Sequence, residues 1–313
     1  MDIIATVIPL ALANMAPLMV IALGGLYSER SGVVNIALEG LLGIGAFVSA
    51  IVIYFTSGDF GYLSIWLGLL CGTAAGGIFS LLHAFASVTM KADQVVSGTA
   101  INLLSSALTV YLARIIVGSA NIQIEGFGKR DVPFLSDIPV LGLLFRNFYI
   151  TTLLVIVIVT VSWFILYKRP FGLHLRACGE NPHAADSMGI NVSKMRYTGV
   201  VISGLLSGLG GAIVITTYSW EFSPNIYSGL GFLALAALIF GKWNPWGVLG
   251  AAAFFGLAKT VAEISKLFDF IESLPNIFFN TFPYVITLVA LVLFSRNSAG
   301  PRAAGEPYDV GKR

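Results

Sequence analysis

Nine runs of about twenty mostly apolar residues, set apart by short polar stretches, leave this chain few ways to fold. About 20 residues rising 1.5 Å each span the ~30 Å hydrocarbon layer of a bilayer. No water is there to bond the backbone, so each run must be helical. The runs are Ile3–Tyr27, Val33–Phe55, Tyr62–Val88, Val95–Val117, Tyr149–Tyr167, Tyr197–Tyr218, Ile226–Phe240, Trp246–Glu263 and Ile277–Phe294. The seventh is short, and the break Gly241-Lys242-Trp243-Asn244-Pro245 after it allows a re-entrant turn, so eight to ten spans are open. The expected fold is all-α: a polytopic transmembrane bundle over 1–296, then a flexible tail over 297–313. Only 11% of the 313 residues are charged and 57% are hydrophobic, against about a quarter charged in soluble domains. A net charge of +2 gives no reason to expect nucleic acid. The N-terminus lacks a basic region before its apolar run, so the first span is read as retained.

Lys and Arg in short loops orient such bundles, with the basic loops inside. The polar island 168–196 carries Lys168, Arg169, Arg176, Lys194 and Arg196, and the tail carries Arg296, Arg302, Lys312 and Arg313. Both are expected on the cytoplasmic side. With nine spans the N-terminus then lies outside and the C-terminus inside. The loops Thr56–Gly61, Ser119–Phe148 and Ser219–Asn225 also fall outside; the longest balances three acids against three bases.

Glycines recur inside the runs, as Gly40/Gly43/Gly45, Gly72/Gly76/Gly77 and Gly204/Gly208/Gly210/Gly211. Small residues at these spacings let helices approach closely. Polar groups at membrane depth are costly and are therefore candidates for function. Glu39 lies four residues after Asn35 near the start of the second run, a helical spacing that aims both the same way. Gly98, Asn102 and Ser106 share one face of the fourth run. Asn14 and Thr216 are further uncharged candidates for lining a pathway, which needs contacts weak enough to release a solute. Interhelical hydrogen bonding accounts for any of these equally well. Tyr218, Trp220, Phe222 and Tyr227 read as an outer interfacial belt, and Trp243 and Trp246 as anchors on the inner side.

The sequence holds no GxxxxGK[ST] loop, HExxH or CxxC. No nucleophile–base pair is evident, so an enzyme within the membrane is not expected, nor is a bound cofactor or metal. Cys71 and Cys178 sit in a span and in the polar island, too far apart to pair.

The polar island contains a built feature. Asn181 is suited to cap a helix and Pro182 to begin one. His183 to Met188 then make about two turns, and Gly189 fits the left-handed position that ends a helix. So short a helix is marginal alone in water, so it packs on something. Leu175-Arg176-Ala177-Cys178-Gly179-Glu180-Asn181-Pro182-His183-Ala184-Ala185, closing with Gly189-Ile190, resembles the cytoplasmic coupling loop of ABC-transporter permeases of the branched-chain amino acid/simple sugar group. Three stretches are similar to its nucleoside-type branch: Glu29 to Gly40 (ERSGVVNIALEG), Lys91 to Gly98 (KADQVVSG) and Phe240 to Gly247 (FGKWNPWG).

The resemblance implies an import pathway formed with a second permease, a different chain with a copy of this one as the alternative, in the inner membrane of a prokaryote. It implies a separate cytoplasmic ATPase that carries ATP and magnesium, and an extracytoplasmic binding protein or lipoprotein that delivers a small solute. Gly179, Glu180, Asn181, Pro182, His183, Ala184, Ala185 and Gly189 would couple to the ATPase. Nucleosides are the implied solutes, with simple sugars as the alternative. An ion-coupled secondary transporter and a non-transporting scaffold are the remaining classes. The first would lean on Glu39 as its essentially lone intramembrane carboxylate and leaves the capped helix unexplained; the second fits the packing glycines but leaves the polar face of the fourth run idle.

Overall fold

A computed structural model describes residues 2–131, 136, 147–226, 228–265, 281, 285 and 300–309. Among these the chain forms ten α-helices: α1 Asp2–Arg30, α2 Leu38–Phe60, α3 Leu63–Ala84, α4 Gln94–Ile116, α5 Ile150–Lys168, α6 Pro170–Glu180, α7 Pro182–Ser187, α8 Val192–Val214, α9 Leu230–Phe240 and α10 Pro245–Ser265. α3 and α8 each run on into a five-residue π turn, Phe85–Thr89 and Ile215–Ser219. Seven described helices are long and apolar enough to cross a membrane. α9 is not: eleven residues rise only ~16 Å. The expected span Ile277–Phe294 lies outside the described residues except at Thr281 and Val285.

α1 is the buried axis, with α5, α8, α9 and α10 against it. α2, α3 and α8 form the tightest layer. A Cβ on Gly72 would stand 2.5 Å from the Gly45 carbonyl oxygen, and one on Gly208 2.5 Å from that of Gly72. Only hydrogen at these positions lets the three backbones meet. At the end far from α7, Ile122–Gln123 pairs antiparallel with Glu221–Phe222. Phe127, from the same loop, is buried edge-on against Tyr62 and Trp66.

Four expectations are corrected. The second run does not become helical at Val33; residues 31–37 stay unwound and helix begins at Leu38. Asn35 and Glu39 therefore do not share a helix face. The reason is that side chains satisfy the unwound backbone inside the protein, where water cannot. The Ser28 hydroxyl donates to Val33 O (2.7 Å), Val34 N–H donates to Gln94 Oε1 (2.7 Å), and Asn102 Nδ2 donates to Ile36 O (2.9 Å). His83 Nε2 lies 3.1 Å from Val34 O. A carbonyl only accepts, so that nitrogen carries the proton and Nδ1 accepts from Ser97 Oγ at 3.1 Å.

Phe222 is not an interfacial aromatic but a buried one, edge-on to Phe47. Trp243 is also buried, bonded through its indole N–H to Glu29. The tail, expected to be flexible, is folded back onto the α7 end over residues 300–309. Its backbone finds open carbonyls there, an opportunity set by tertiary structure and invisible locally. Tyr227 lies outside the described residues.

Candidate functional site

The α7 surface is built by local sequence. Pro170 cannot continue α5 and opens α6 at its first position. Asn181 ends α6 and caps α7, its Oδ1 accepting from Ala184 N–H at 3.0 Å. Gly189, at φ +81°, turns the chain out of α7, with Ile190 N–H donating to Ala185 O at 3.1 Å. Asn191 then caps α8 through Lys194 N–H. The six-residue helix has two unlike faces. Pro182 and Ala185 are buried, Ala185 at 3% exposure in a cluster with Cys178 and Val192. Burial pushes the Cys178 thiol up to about 11, against a smaller opposing pull from Arg196. His183, Ala184, Ser187, Met188 and Gly189 are exposed. Ala184 is thus open to a partner and Ala185 is not.

This surface is joined to the bundle. Gly179 packs on the end of α1, where a Cβ would meet the Arg30 backbone. Glu180 pairs with Arg30 at 3.6 Å. Arg30 Nη2 and Nε donate to Trp243 O (2.9 and 3.1 Å), tying in the α9–α10 connection.

A second feature is a cleft of about 340 Å³ lined by Glu39, Thr99, Asn102, Ser105, Ser106 and Phe232. It brings together Glu39, Asn102 and Ser106 of the candidates read from sequence. The Glu39 carboxylate accepts from Gly229 N–H at 2.9 Å, at the N-terminus of the short α9. Negative charge is favourable there. Asn102 also accepts from Gly40 N–H at 2.7 Å, so it both lines the cleft and fastens α4 to the start of α2. Several of its polar groups are already engaged by backbone: Ser105 Oγ donates to Gly40 O at 2.6 Å and Thr99 Oγ1 to Val95 O at 3.0 Å.

The other candidates lie elsewhere. Gly98 packs on Ile36 and Ala37. Asn35 is buried and donates to Ser203 Oγ at 2.8 Å. Thr216 is buried and bonds back to Ala212 O. Asn14 joins a group that the sequence reading missed: its Nδ2 donates to Thr260 (3.1 Å) and Glu263 (3.0 Å). Lys259 lies 4.0 Å from Glu263 and 5.1 Å from the Tyr218 ring centre. The opposite charges at 259 and 263, one helical turn apart, were the available signal. Glu39 is therefore not the lone carboxylate within the spans: Glu29, Asp59 and Glu263 lie in them too. Among the described residues no three His, Cys, Asp or Glu side chains gather as a metal would need.

The family model described as the permease component of branched-chain amino acid transport systems matches residues 8–292. The chain belongs to that permease family. The guanosine ABC transporter permease protein NupQ of Bacillus subtilis is 48% identical to the permease, covering 100% of this chain and 99% of its own. The nucleoside ABC transporter permease protein NupC of Lactococcus lactis is 43% identical over 99% of each chain. The guanosine ABC transporter permease protein NupP, also of Bacillus subtilis, is 25% identical over 79% of this chain and 70% of its own. No solved structure matches. The permease is a multi-pass membrane protein and a transport component rather than an enzyme. All four motifs read from sequence meet at its α7 end: Glu29–Gly40 bonds to Gln94 and His83, Arg30 to Trp243, and Arg30 to Glu180.

Proposed function

We propose that the permease is one membrane subunit of an ATP-driven importer of nucleosides in a prokaryotic inner membrane. The observation that carries this reading is full-length similarity to two permeases named for guanosine and nucleoside transport. The spans number about nine, with the N-terminus outside and the α7 end facing the cytoplasm; the basic loop 168–196 supports that orientation.

The second permease is a different chain. NupQ and NupP come from one organism and carry the same transporter's name, which supports a heterodimer. The solute arrives from an extracytoplasmic binding protein and passes the wall formed by Glu39, Asn102 and Ser106. The exposed face of α7 (His183, Ala184) sits in a groove of a cytoplasmic ATPase, a helix-in-groove contact. ATP and magnesium reside on that ATPase. Its closure moves α7, and the Glu180–Arg30–Trp243 chain carries the movement to α9 as a rigid-body shift. The exposed faces of the outer helices meet lipid.

Uptake of labelled nucleosides and sugars tests this in cells expressing the four components. Nucleoside uptake that stops when the ATPase is inactivated supports it. Uptake of sugars alone, or uptake indifferent to the ATPase, rejects it.

A further inference from the structure

The segment 300–309 bonds to parts of the chain far apart in sequence, all at the α7 end. Ala303 N–H donates to Gly179 O at 2.9 Å and Gly305 N–H to Gly32 O at 3.3 Å. The Glu306 carbonyl accepts from Arg196 Nη1 at 2.7 Å. Asp309 pairs with Lys91 at 2.9 Å. The Tyr308 ring lies 5.2 Å from the His183 ring on α7 and 6.0 Å from the Arg196 guanidinium. The tail thus joins the end of α6, the unwound link before α2, the first turns of α8, the loop before α4 and α7 itself.

Arg196 shows that this contact is built. It is among the largest fully buried side chains. A buried guanidinium is costly unless polar groups meet it. The tail carbonyl meets Nη1, the one guanidinium nitrogen with a hydrogen-bond partner among the described residues; Nε and Nη2 are buried without one, against Gly32, whose φ of +97° and missing Cβ make room. Removing the tail would expose this charge and free the link that precedes α2.

The tail also borders the face of α7 that is open. A hollow of about 380 Å³ beside α7 is lined by Asp186, Ile190, Asn191, Ser193 and Tyr308. Met188, 82% exposed, stands next to it and outside the spans. A groove that accepts a helix must be about 10 Å wide. Tyr308 is nearer to α7 than that, and the adjoining Glu306 and Pro307 are exposed.

We propose that the C-terminal segment 300–309 is the second half of the ATPase seat: it pins α7 to the bundle, and its Glu306–Asp309 edge contacts the ATPase beside α7. The inference rests on the coupling reading of α7. Its test is maleimide labelling of single exposed cysteines in the purified importer complex, with and without the ATPase. Cys71→Ser provides the background, and Cys178 remains because it is buried and its thiol is pushed up to about 11. Glu306→Cys and Ser187→Cys are expected to lose labelling when the ATPase is bound, while Ser119→Cys, at the far end of α4, keeps it. Protection of Ser187→Cys without Glu306→Cys overturns the inference and leaves the coupling reading intact. Protection of Glu306→Cys alone also overturns it, since both must be covered together. Protection of neither removes the coupling reading itself.

Discussion

The indole N–H of Trp243 donates to the buried carboxylate of Glu29. The neighbouring Arg30 donates to the Trp243 carbonyl, so the end of α1 grips the α9–α10 connection from two sides. Lys242 and Trp243 both have left-handed backbones, φ 51° and 52°, without being glycine. Each such residue costs about 1–3 kcal/mol unless its surroundings hold it. Arg30 also meets Glu180, and α9 runs from this grip to Glu39 at the cleft. One continuous set of contacts therefore joins the α7 surface to the cleft.

Trp243→Phe keeps an aromatic ring, though a smaller one, and removes the N–H, leaving a Glu29 oxygen buried without its donor. It is expected to lower stability by about 1–3 kcal/mol, read as a lower melting temperature of the purified permease. Adding Glu29→Leu should restore part of the loss. An unchanged melting temperature in Trp243→Phe contradicts the grip.

Glu39→Gln is expected to transport better than Glu39→Ala. Gln keeps an oxygen for the Gly229 N–H, whereas Ala leaves that donor unpaired at about 1–3 kcal/mol. Uptake at matched expression checks this. Equal loss in both variants would mean that the charge, not the hydrogen bond, is required.

The two alanines of α7 are expected to separate folding from coupling. Ala185→Glu buries a charge among Cys178 and Val192 and should cost roughly 3 kcal/mol or more, seen as poor expression or a lowered melting temperature. Ala184→Glu is exposed and should change stability by no more than about 0.5 kcal/mol while abolishing solute-stimulated ATP hydrolysis. Normal folding of Ala185→Glu would show that its side chain faces outward.

Cys178 is expected to resist alkylation at neutral pH. Burial disfavours its thiolate, so reactivity should rise only as pH approaches about 11. A labelling series between pH 7 and 11 in Cys71→Ser, with denatured protein as reference, measures it. Rapid labelling at pH 7 would mean that the Cys178–Ala185 cluster is open.

Legibility in the sequence followed locality. Asn181-Pro182 and Gly189 announced α7, because caps and left-handed turns depend on neighbouring residues. Asn102 and Ser106 fell together because α4 is a regular helix. Asn35 and Glu39 did not, because the helix between them is replaced by a link that Gln94, His83 and Asn102 stabilise from distant positions. Ala185 could not be told from Ala184, since six residues are too few to show a face. The contacts of the tail are not legible because its partners, Gly179, Gly32 and Arg196, become neighbours only in the folded bundle. Lys259 and Glu263 are legible by their spacing, although the apolar run around them masks the pair.

Coupling and solute class are read together from ATP hydrolysis by the permease reconstituted with its ATPase, partner permease and binding protein, across a panel of nucleosides and sugars. Nucleosides are expected to stimulate hydrolysis, and Ala184→Glu to lose that stimulation. Stimulation by sugars alone, or full nucleoside stimulation in Ala184→Glu, would contradict this expectation.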